Sequence, residues 1–247
     1  MPGKKKKTKK KVNYLLCGAM MLFLCTGGIW NFLSEDRVLS QLENRKLQQF
    51  PTLSWSKLWS GKYGQELESW FEDQFPGRET AFHANYLLRK SLNQHWLNGQ
   101  YLGKGTLIGA LEAPDEQIFE ANIQAVNDFA LKSNLPTALM MVPPAEMIEQ
   151  EKLPTFAPVP DLTPYFEQIA QDLTMATNLD LRDVLFDHQE DYLFYRTDHH
   201  WATQGAGFGA QALVAFCGGE MDFKEYTYQT LSTNFEGTSA SYTGSVG

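Results

Sequence analysis

The chain has 247 residues, of which 43% are hydrophobic and 13% aromatic, and its formal net charge is −8. This composition predicts a packed core and excludes global disorder, and the length suits one sizeable α/β domain with an appendage. Seven lysines lie within the first eleven residues. The rest of the chain therefore contains 14 basic and 29 acidic side chains and has a net charge of about −15. A body this acidic repels phosphate backbones, which excludes nucleic acid as a partner.

An apolar segment, residues 12–33, follows this basic head and contains no acidic side chain and no lysine, arginine or histidine. About 20 apolar residues suffice to cross the hydrocarbon core of a bilayer. Lysines before the segment and Glu35 and Asp36 after it place residues 1–11 in the cytoplasm by the positive-inside rule. The segment therefore predicts a transmembrane signal anchor, with residues 34–247 outside the cytoplasm. A cleaved signal peptide is the alternative, although no Ala-x-Ala cleavage site is present.

The three cysteines predict no disulfide in the exported part of the chain. Cys17 and Cys25 fall in the apolar segment, which leaves Cys217 alone in residues 34–247. Because Cys217 follows an apolar helical segment, we expect it to be a buried small hydrophobic residue rather than a nucleophile.

Residues 34–100 predict a juxtamembrane linker followed by two helices. The linker covers residues 34–60 and contains scattered tryptophans. Apolar positions recur every three or four residues from Lys62 to Gln74, which indicates an amphipathic helix that Pro76-Gly77 ends. A second helix is expected from Glu79 to Leu97, and the apolar stripes of both helices are expected to pack in the core.

Residues 101–247 predict an α/β domain. Glycine-punctuated apolar pieces over residues 101–109 indicate a hairpin, and the lack of a terminal Lys-Ser/Thr excludes a phosphate-binding loop. The next expected elements are a helix from Pro114 to Asn134, a strand buried on both faces at 137–142, a helix at 163–176 and a strand at 178–184. Such an order predicts parallel strands with right-handed crossovers. Functional sites lie at the carboxyl ends of such strands, where Pro143-Pro144, Asp183 and Asp198 occur.

The densest group of reactive side chains is Tyr195-Arg196-Thr197-Asp198-His199-His200-Trp201. Asp198 and His200 are two residues apart, so a turn brings the carboxylate to one imidazole nitrogen. A carboxylate in that position fixes the tautomer of the ring and stabilises the imidazolium, which is the acid–base half of a catalytic triad. We expect Trp201 to pack over the ring, and Thr203 to cap a helix of small residues that runs to Phe216.

Two other interpretations of this segment stay open. In the first, the histidines are structural hydrogen-bonding residues of a loop. In the second, Asp198 with one or both histidines holds a metal ion, as in phosphoesterases that bind manganese through an Asp-His-His tripeptide. The remaining histidines, His83, His95 and His188, are scattered along the chain and supply no second cluster.

The apolar anchor, the strand ending in Val142-Pro143-Pro144 and the segment from Tyr195 to Ala206 together resemble the DHHW protein family of Gram-positive bacteria. That family is similar to the SGNH-hydrolase-like domains of the alginate acetylation proteins AlgX and AlgJ. The resemblance implies a three-layer, flavodoxin-like α/β fold with a parallel sheet over residues 101–247. It also implies an acyl-transfer site in which Asp198 is the orienting acid and His200 the general base.

Tyr195, Arg196, His199 and Trp201 are predicted to be supporting or substrate-binding residues, and His199 occupies the variable position of the motif, so its role stays open. In that family the nucleophilic serine lies downstream in a Gly-Asp-Ser block, and no such block occurs in this sequence. Three of the four serines after His200 lie in the last thirteen residues, which resemble the Phe-x-Gly-Thr loop of the family. We therefore expect a C-terminally truncated chain with an incomplete sheet, from which the serine of the triad is missing.

These expectations combine into a membrane-anchored protein outside the cytoplasm that acetylates or deacetylates a cell-envelope polysaccharide. The acyl donor would come from a multipass membrane acyltransferase, which is the expected protein partner, and no cofactor is expected. The alternative is a non-catalytic cell-envelope glycan-binding module in which Trp55, Trp59 and Trp70 stack on sugars. A metal-dependent phosphoesterase is the third candidate.

Overall fold

The computed structural model describes residues 3–245, with side chains from residue 12 onward. The chain divides into two compact units, unit 1 (Met1–Asn85) and unit 2 (Tyr86–Gly247). Each unit has its own elements and its own core.

Unit 1 is mainly helical. Its elements are α1 (Gly3–Leu33), β1 (Leu39–Ser40), β2 (Arg45–Lys46), α2 (Trp55–Trp59), α3 (Lys62–Gln74) and the first part of α4 (Arg78–Ser91). The bounds predicted for α3 are confirmed. The second helix was expected to reach Leu97 but ends at Ser91, because Asn93 adopts a left-handed backbone conformation with φ of 54°.

The core of unit 1 forms around Trp70, which is 2% exposed. Its indole Nε1 donates to Asp36 Oδ1 at 2.8 Å, and its ring lies 5.1 Å from that of Phe32 and 5.0 Å from that of Phe50. Phe32 belongs to α1, so α3 packs against the last turns of the apolar helix. Gly27 admits a second aromatic contact there, because a Cβ at Gly27 would lie 2.9 Å from the Phe75 ring.

The segment expected to be a linker, residues 34–60, is folded. It contains the antiparallel pair β1–β2 and the short helix α2, whose Trp55 and Trp59 are 77% and 85% exposed. Asp73 of α3 holds the segment through Arg45, whose Nη2 lies 2.6 Å from Asp73 Oδ1. The Arg45 guanidinium keeps the pKa of Asp73 below its ordinary value. The sequence did not predict these contacts of the juxtamembrane segment, because the partner of Arg45 lies 28 residues further along the chain.

Unit 2 continues from the second part of α4 and alternates short strands with helices. Its further elements are β3 (Trp96–Leu97), β4 (Gln100–Leu102), β5 (Leu107–Gly109), α5 (Glu116–Ser133), β6 (Ala138–Leu139), α6 (Ala145–Ile148), α7 (Thr163–Asp172), β7 (Thr177–Asn178), α8 (Arg182–Asp187), α9 (Thr203–Phe216) and α10 (Thr238–Thr243). Two 3-10 turns, Gln150–Lys152 and Phe223–Glu225, complete the set. The expected hairpin over residues 101–109 is confirmed as the pair β4–β5.

A three-layer arrangement surrounds the strand β6, which pairs in parallel with β7. Consecutive side chains of a strand point to opposite faces of the sheet. Accordingly Met140 packs into a core with Leu185 of α8 and Phe208 of α9. Leu139 and Met141 pack instead against Ile123 of α5 and Ile169 of α7. Helices therefore cover both faces of the parallel pair, as the expected α/β fold requires.

Two strand predictions need correction. The apolar run at 137–142 forms only two strand residues and is half-buried, with Val142 49% exposed, because β7 is its only paired strand in the described part of the chain. The strand expected at 178–184 stops at Asn178, and α8 begins at Arg182. Asp180 causes this change, since its carboxylate accepts from the Arg182 backbone N–H at 3.0 Å.

The ends of helix α5 agree with the prediction, but the residues that it buries differ from the predicted ones. Asp115 caps its start by accepting from the Ile118 N–H at 3.0 Å, and Asn134, with φ of 52°, ends it. Ile123 is buried as expected, whereas Ile118 and Phe129 are each more than 60% exposed.

Cys217 also departs from expectation, because it is exposed. It forms the C-cap of α9, whose buried residues lie towards the start of the helix, at Gly205, Gly207, Phe208 and Gly209. The cysteine therefore follows the exposed end of the helix.

Helix α7 ends at Asp172, four residues earlier than predicted, because Asn127 of α5 captures the following backbone. Asn127 Oδ1 accepts from the N–H groups of Thr174 and Met175 at 3.0 and 2.9 Å, and Nδ2 donates to the Asp172 carbonyl at 2.8 Å. These bonds join the two helices on one face of the parallel pair.

We expect Asn127→Ala to lower the free energy of unfolding by about 1–2 kcal/mol, because it removes three partly buried hydrogen bonds made by a side chain that is 7% exposed. Urea unfolding of the full chain measures the change. Gln124→Ala, which removes a surface hydrogen bond from the same helix, is the matched control and should change stability by less than about 0.5 kcal/mol. Equal losses in the two variants would contradict this role for Asn127.

Candidate functional site

The segment around Asp198 is a tight loop whose two ends are hydrogen-bonded to each other. The Ala202 N–H donates to the Leu193 carbonyl at 2.8 Å, and the Tyr195 N–H donates to the His200 carbonyl at 3.2 Å. A single antiparallel bridge, Phe194 with Trp201, replaces the short strand expected at Leu193–Tyr195. We call residues 194–201 the site loop.

Two neighbouring elements fix the site loop. The Leu107 N–H of β5 donates to the Arg196 carbonyl at 2.7 Å. The Thr197 carbonyl accepts from the N–H groups of Ser239 and Ala240 in α10, at 3.0 and 3.2 Å. The loop is therefore held from both sides by backbone hydrogen bonds immediately before Asp198.

Asp198 is 6% exposed, and both of its carboxylate oxygens are occupied. Oδ1 accepts from the His200 N–H at 2.9 Å and also contacts His200 Nδ1, while Oδ2 accepts from the Thr238 N–H at 2.7 Å. Burial favours the neutral acid, but the hydrogen bonds from Thr238 and His200 outweigh it and lower the pKa of Asp198 to about 2. The carboxylate is therefore ionised at neutral pH.

His200 turns Nδ1 towards Asp198, which leaves Nε2 on the outer side of the ring. Its side chain is 69% exposed, so Nε2 is accessible to a reacting group. An imidazole whose Nδ1–H donates to a carboxylate presents an unprotonated Nε2, which is the atom that acts as a general base. The structure thus brings together the acid and the base that the sequence predicts.

His199 lies beside this pair. Its ring centroid is 4.0 Å from that of His200, and its Nδ1 is 3.8 Å from Asp198 Oδ1. Ligand atoms of Asp198, His199 and His200 lie within 4.8 Å of one another, which keeps the metal interpretation open. Asp198 Oδ1 already contacts the His200 ring, so an ion there would compete with the acid–base contact.

Trp201 occupies a place different from the one expected. Instead of packing over the His200 ring, the indole lies beneath α9, where a Cβ at Gly209 would approach Trp201 Cζ3 to 2.9 Å. The glycines of α9 therefore admit the indole. Its Nε1 is buried without a hydrogen-bond partner among the described residues. Thr203 is likewise not the cap of α9, because the N-cap residue is Ala202 and no side chain caps the helix.

The other predicted site residues lie at the edge of the loop. The Tyr195 ring is 4.6 Å from the Phe235 ring, and the Arg196 guanidinium lies 5.8 Å from the centroid of the Tyr192 ring. Pro143-Pro144 follows β6 as predicted, whereas Asp183 lies on α8 and is exposed.

Sequence reasoning missed Gly237 and Thr238. The Thr238 N–H binds Asp198, and Gly237 lets the two segments meet, because its Cβ would lie 2.5 Å from Asp198 Oδ2 and 2.7 Å from the Thr197 carbonyl oxygen. The stretch was interpreted as a loop, yet it begins α10. Gly237 is the N-cap residue of α10, and glycine is accepted at that position, which is the one local signal for this helix.

The described serines after His200 do not complete a catalytic triad with Asp198 and His200. Ser239 and Ser245 are 3% and 7% exposed, and Ser241 Oγ donates to the Thr238 carbonyl at 2.7 Å. Within residues 12–245, no serine hydroxyl forms a hydrogen bond with the His200 ring.

The low pKa of Asp198 predicts that the free energy of unfolding depends on pH. An unfolded aspartate has a pKa near 3.9, so between pH 2 and pH 4 the folded state binds fewer protons than the unfolded state. The stabilisation of the fold by the Asp198 carboxylate is therefore complete at pH 6 and is lost as the pH falls towards 2. We expect the difference in unfolding free energy between the native chain and Asp198→Asn to shrink by about 2 kcal/mol between pH 6 and pH 2.5. Urea titrations at four pH values measure it, and a difference independent of pH would contradict the assignment.

Comparisons with known proteins add three findings. A family model described as the SGNH hydrolase-like domain of acetyltransferase AlgX matches residues 101–245. A crystal structure of a DHHW family protein from Eubacterium siraeum DSM 15702 is similar, with 23% identity, a TM-score of 0.45, and coverage of 60% of this chain and 50% of that one. The structure of Bacillus cereus PatB1 with a sulfonyl adduct gives 18% identity, a TM-score of 0.46, and coverage of 55% and 50%. The chain thus spans about half the length of these proteins. No curated protein matches its sequence.

Proposed function

Because the chain belongs to the family of SGNH hydrolase-like domains of the acetyltransferase AlgX type, we propose that it takes part in O-acetyl transfer or acetyl-ester hydrolysis on a cell-envelope polysaccharide. The family and the α/β fold expected from the sequence are thereby confirmed. The observation that carries the proposal is the pairing of the buried, ionised Asp198 with His200 Nδ1, which leaves Nε2 exposed.

In the proposed reaction, His200 Nε2 accepts the proton of a serine hydroxyl while the serine oxygen attacks an acetyl carbonyl. The resulting imidazolium, stabilised by Asp198, donates that proton to the departing donor oxygen. A sugar hydroxyl or water then attacks the acetyl-serine, His200 accepts its proton, and the serine leaves with that proton. The serine must reach the exposed side of the ring, where residues 12–245 place none.

The remaining site residues have supporting roles in this proposal. Trp201 holds the loop against α9, while Tyr195 packs on Phe235 and Arg196 lies over Tyr192 at the edge of the loop. His199 contributes a second imidazole at the rim, where it is 61% exposed and faces incoming substrate.

We further propose that residues 12–33 anchor the protein in the membrane, with residues 1–11 in the cytoplasm and the main domain outside. The helix is apolar over 22 residues, and the mean hydropathy of an 18-residue stretch within it is 1.7. Phe75 and Trp70 pack on its last turns, and cleavage as a signal peptide would remove those contacts. On this proposal residues 34–100 form the juxtamembrane part and 101–247 the acyl-transfer domain. A multipass membrane acyltransferase supplies the acetyl group.

The proposal is tested with a form of the protein that supplies the nucleophilic serine, purified in detergent. Release of p-nitrophenol from p-nitrophenyl acetate, together with mass-spectrometric detection of acetyl groups gained or lost by a cell-envelope polysaccharide, would support it. Failure of both reactions would overturn it.

Two other functions predict different results for the same purified protein. A non-catalytic glycan-binding module is favoured by the lack of a serine beside His200 within residues 12–245, and it predicts glycan binding without acetyl turnover. A metal-dependent phosphoesterase is favoured by the Asp198-His199-His200 cluster and predicts stoichiometric manganese or zinc in the purified protein.

A further inference from the structure

Helix α2 of unit 1 turns its charge towards the protein and its apolar face outward. Lys57 Nζ lies 2.6 Å from Glu66 Oε2 of α3, so the lysine faces the body of unit 1. Trp55 and Trp59 are four residues apart and therefore share one face of the helix, and they are 77% and 85% exposed. A surface helix in water has the opposite arrangement, with its apolar face towards the core. The orientation of α2 therefore suits an apolar or interfacial environment beside unit 1.

Three more apolar side chains accompany these tryptophans. Phe50, Leu53 and Leu58 are 49%, 68% and 44% exposed, so five large apolar side chains are exposed within ten consecutive residues, 50–59. Single exposed apolar residues are ordinary on a protein, whereas a group of them marks a contact surface. We call the group formed by Phe50, Leu53, Trp55, Leu58 and Trp59 the tryptophan surface.

The tryptophan surface adjoins the end of the apolar helix α1. The Phe50 ring lies 6.2 Å from that of Phe32, which belongs to the last turn of α1. Trp55 follows Phe50 by five residues, a stretch that reaches about 18 Å at most. Trp30, also in the last turn of α1, is 65% exposed. The exposed tryptophans of unit 1 therefore lie near the place where the apolar helix ends.

The contacts between α3 and α1 set the height of unit 1 relative to a bilayer. Residues 12–33 form about 33 Å of helix, little more than the thickness of the hydrocarbon core. Helix α3 packs on the last part of this same length, because the Phe75 ring lies 6.4 Å from that of Phe23 and a Cβ at Gly28 would lie 3.8 Å from the Phe71 ring. If residues 12–33 span the core, unit 1 therefore sits directly against the headgroups.

We propose that the tryptophan surface inserts into the headgroup region of the outer leaflet, so that α2 lies in the membrane interface beside α1. Tryptophan suits this region because its ring is apolar and its N–H is polar, while leucine side chains are stabilised at the boundary of the acyl chains. This inference rests on the proposed membrane anchor and adds a lateral attachment to it. The helix α1 keeps the protein in the bilayer, and the tryptophan surface prevents unit 1 from turning about the axis of that helix.

A glycan is another ligand on which exposed tryptophans can stack. Two observations favour lipid. Leu53 and Leu58 have no polar side-chain group for a sugar hydroxyl but are stabilised among acyl chains. The contact between Phe50 and Phe32 also makes the surface continuous with the apolar helix.

Quenching of tryptophan fluorescence by brominated lipids tests the inference. The full chain is reconstituted into vesicles of phosphatidylcholine and phosphatidylglycerol. The emission of Trp55 and Trp59 is the difference between the native chain and a chain with both Trp55→Phe and Trp59→Phe. We expect bromine near the headgroup end of the acyl chains to quench about half of this emission, and bromine near the methyl end to quench less.

Trp96→Phe is the matched control, because Trp96 is a tryptophan of unit 2 that is 46% exposed. The emission that this substitution removes should be insensitive to brominated lipid. Equal quenching of Trp96 and of the tryptophan surface would show that vesicles take up exposed tryptophans without selection, and it would overturn the inference.

Resistance to alkaline carbonate extraction measures the anchor separately, since a spanning helix resists extraction and a surface contact does not. A resistant chain whose Trp55 and Trp59 are not quenched would uphold the anchor and overturn the inference. Quenching in a chain that carbonate extracts would uphold the surface and overturn the anchor. Neither measurement depends on acetyl turnover.

The other occupants of the surface give different results in the same vesicles. Emission of Trp55 and Trp59 that responds to a chitooligosaccharide but not to brominated lipid would assign the surface to a glycan. Emission that changes only as the ratio of protein to lipid rises would assign it to a second copy of the chain. Either result would overturn the inference.

Discussion

In a form of the protein that supplies the nucleophilic serine, His200→Ala is expected to lower kcat/KM for p-nitrophenyl acetate about 10³-fold or more, because it removes the group that we propose as the acceptor of the serine proton. The mechanism requires the Nε2 atom that the Asp198–Nδ1 contact leaves exposed. Initial rates over a range of substrate concentrations measure the change. Since the side chain is 69% exposed, the variant should remain folded, which urea unfolding checks.

His199→Ala is the matched control for this result. It removes an imidazole of similar exposure whose ring lies 4.0 Å from that of His200 but whose Nδ1 is 3.8 Å from Asp198 Oδ1. We expect its kcat/KM to fall less than tenfold. If both variants lost activity equally, a metal held by both histidines would explain the site better than an acid–base pair. If neither lost activity, the role of His200 would be refuted.

Gly237→Ala should reduce stability and activity together. The new Cβ would lie 2.5 Å from Asp198 Oδ2 and 2.7 Å from the Thr197 carbonyl oxygen, closer than real Cβ contacts come, so α10 and the site loop must separate. The backbone hydrogen bonds from Thr238 and Ser239 then weaken or break. We expect a loss of about 2–3 kcal/mol in the free energy of unfolding and about a 100-fold decrease in kcat/KM.

Gly64→Ala provides the comparison for this variant, because Gly64 lies inside α3 and a Cβ there meets no atom within 4 Å. It should leave kcat/KM unchanged and should not lower stability, since alanine is the better helix former. Urea unfolding and p-nitrophenyl acetate kinetics on both variants give the answer. An active, stable Gly237→Ala protein would show that the contact between α10 and Asp198 is dispensable.

The contact between Asp198 and His200 was predictable because it is local. Asp198 and His200 are two residues apart, and a turn is enough to bring a carboxylate to the nearer nitrogen of the imidazole. The limits of α3 and the ends of α5 were predictable for the same reason, because the residues that set them adjoin the helix.

Most of the contacts that the sequence did not predict join residues that are distant in the chain. Thr238 meets Asp198 across forty residues, and Asn127 ends α7 from forty-seven and forty-eight residues away. Trp201 is an exception to this distance, because the glycines that admit its indole beneath α9, Gly205 and Gly209, follow it by four and eight residues. In each case tertiary packing decided between local alternatives that the sequence leaves nearly equal.

The hydrogen bond from Thr238 to Asp198 has a consequence for the timing of maturation. A ribosome completes Asp198 forty residues before Thr238, a length of chain that spans about 130 Å when extended. Until α10 arrives and docks, Oδ2 lacks its backbone donor, and the site loop lacks the bonds that Ser239 and Ala240 provide. In a nascent chain Asp198 and His200 are therefore both present before the support that α10 gives to the carboxylate and to the site loop.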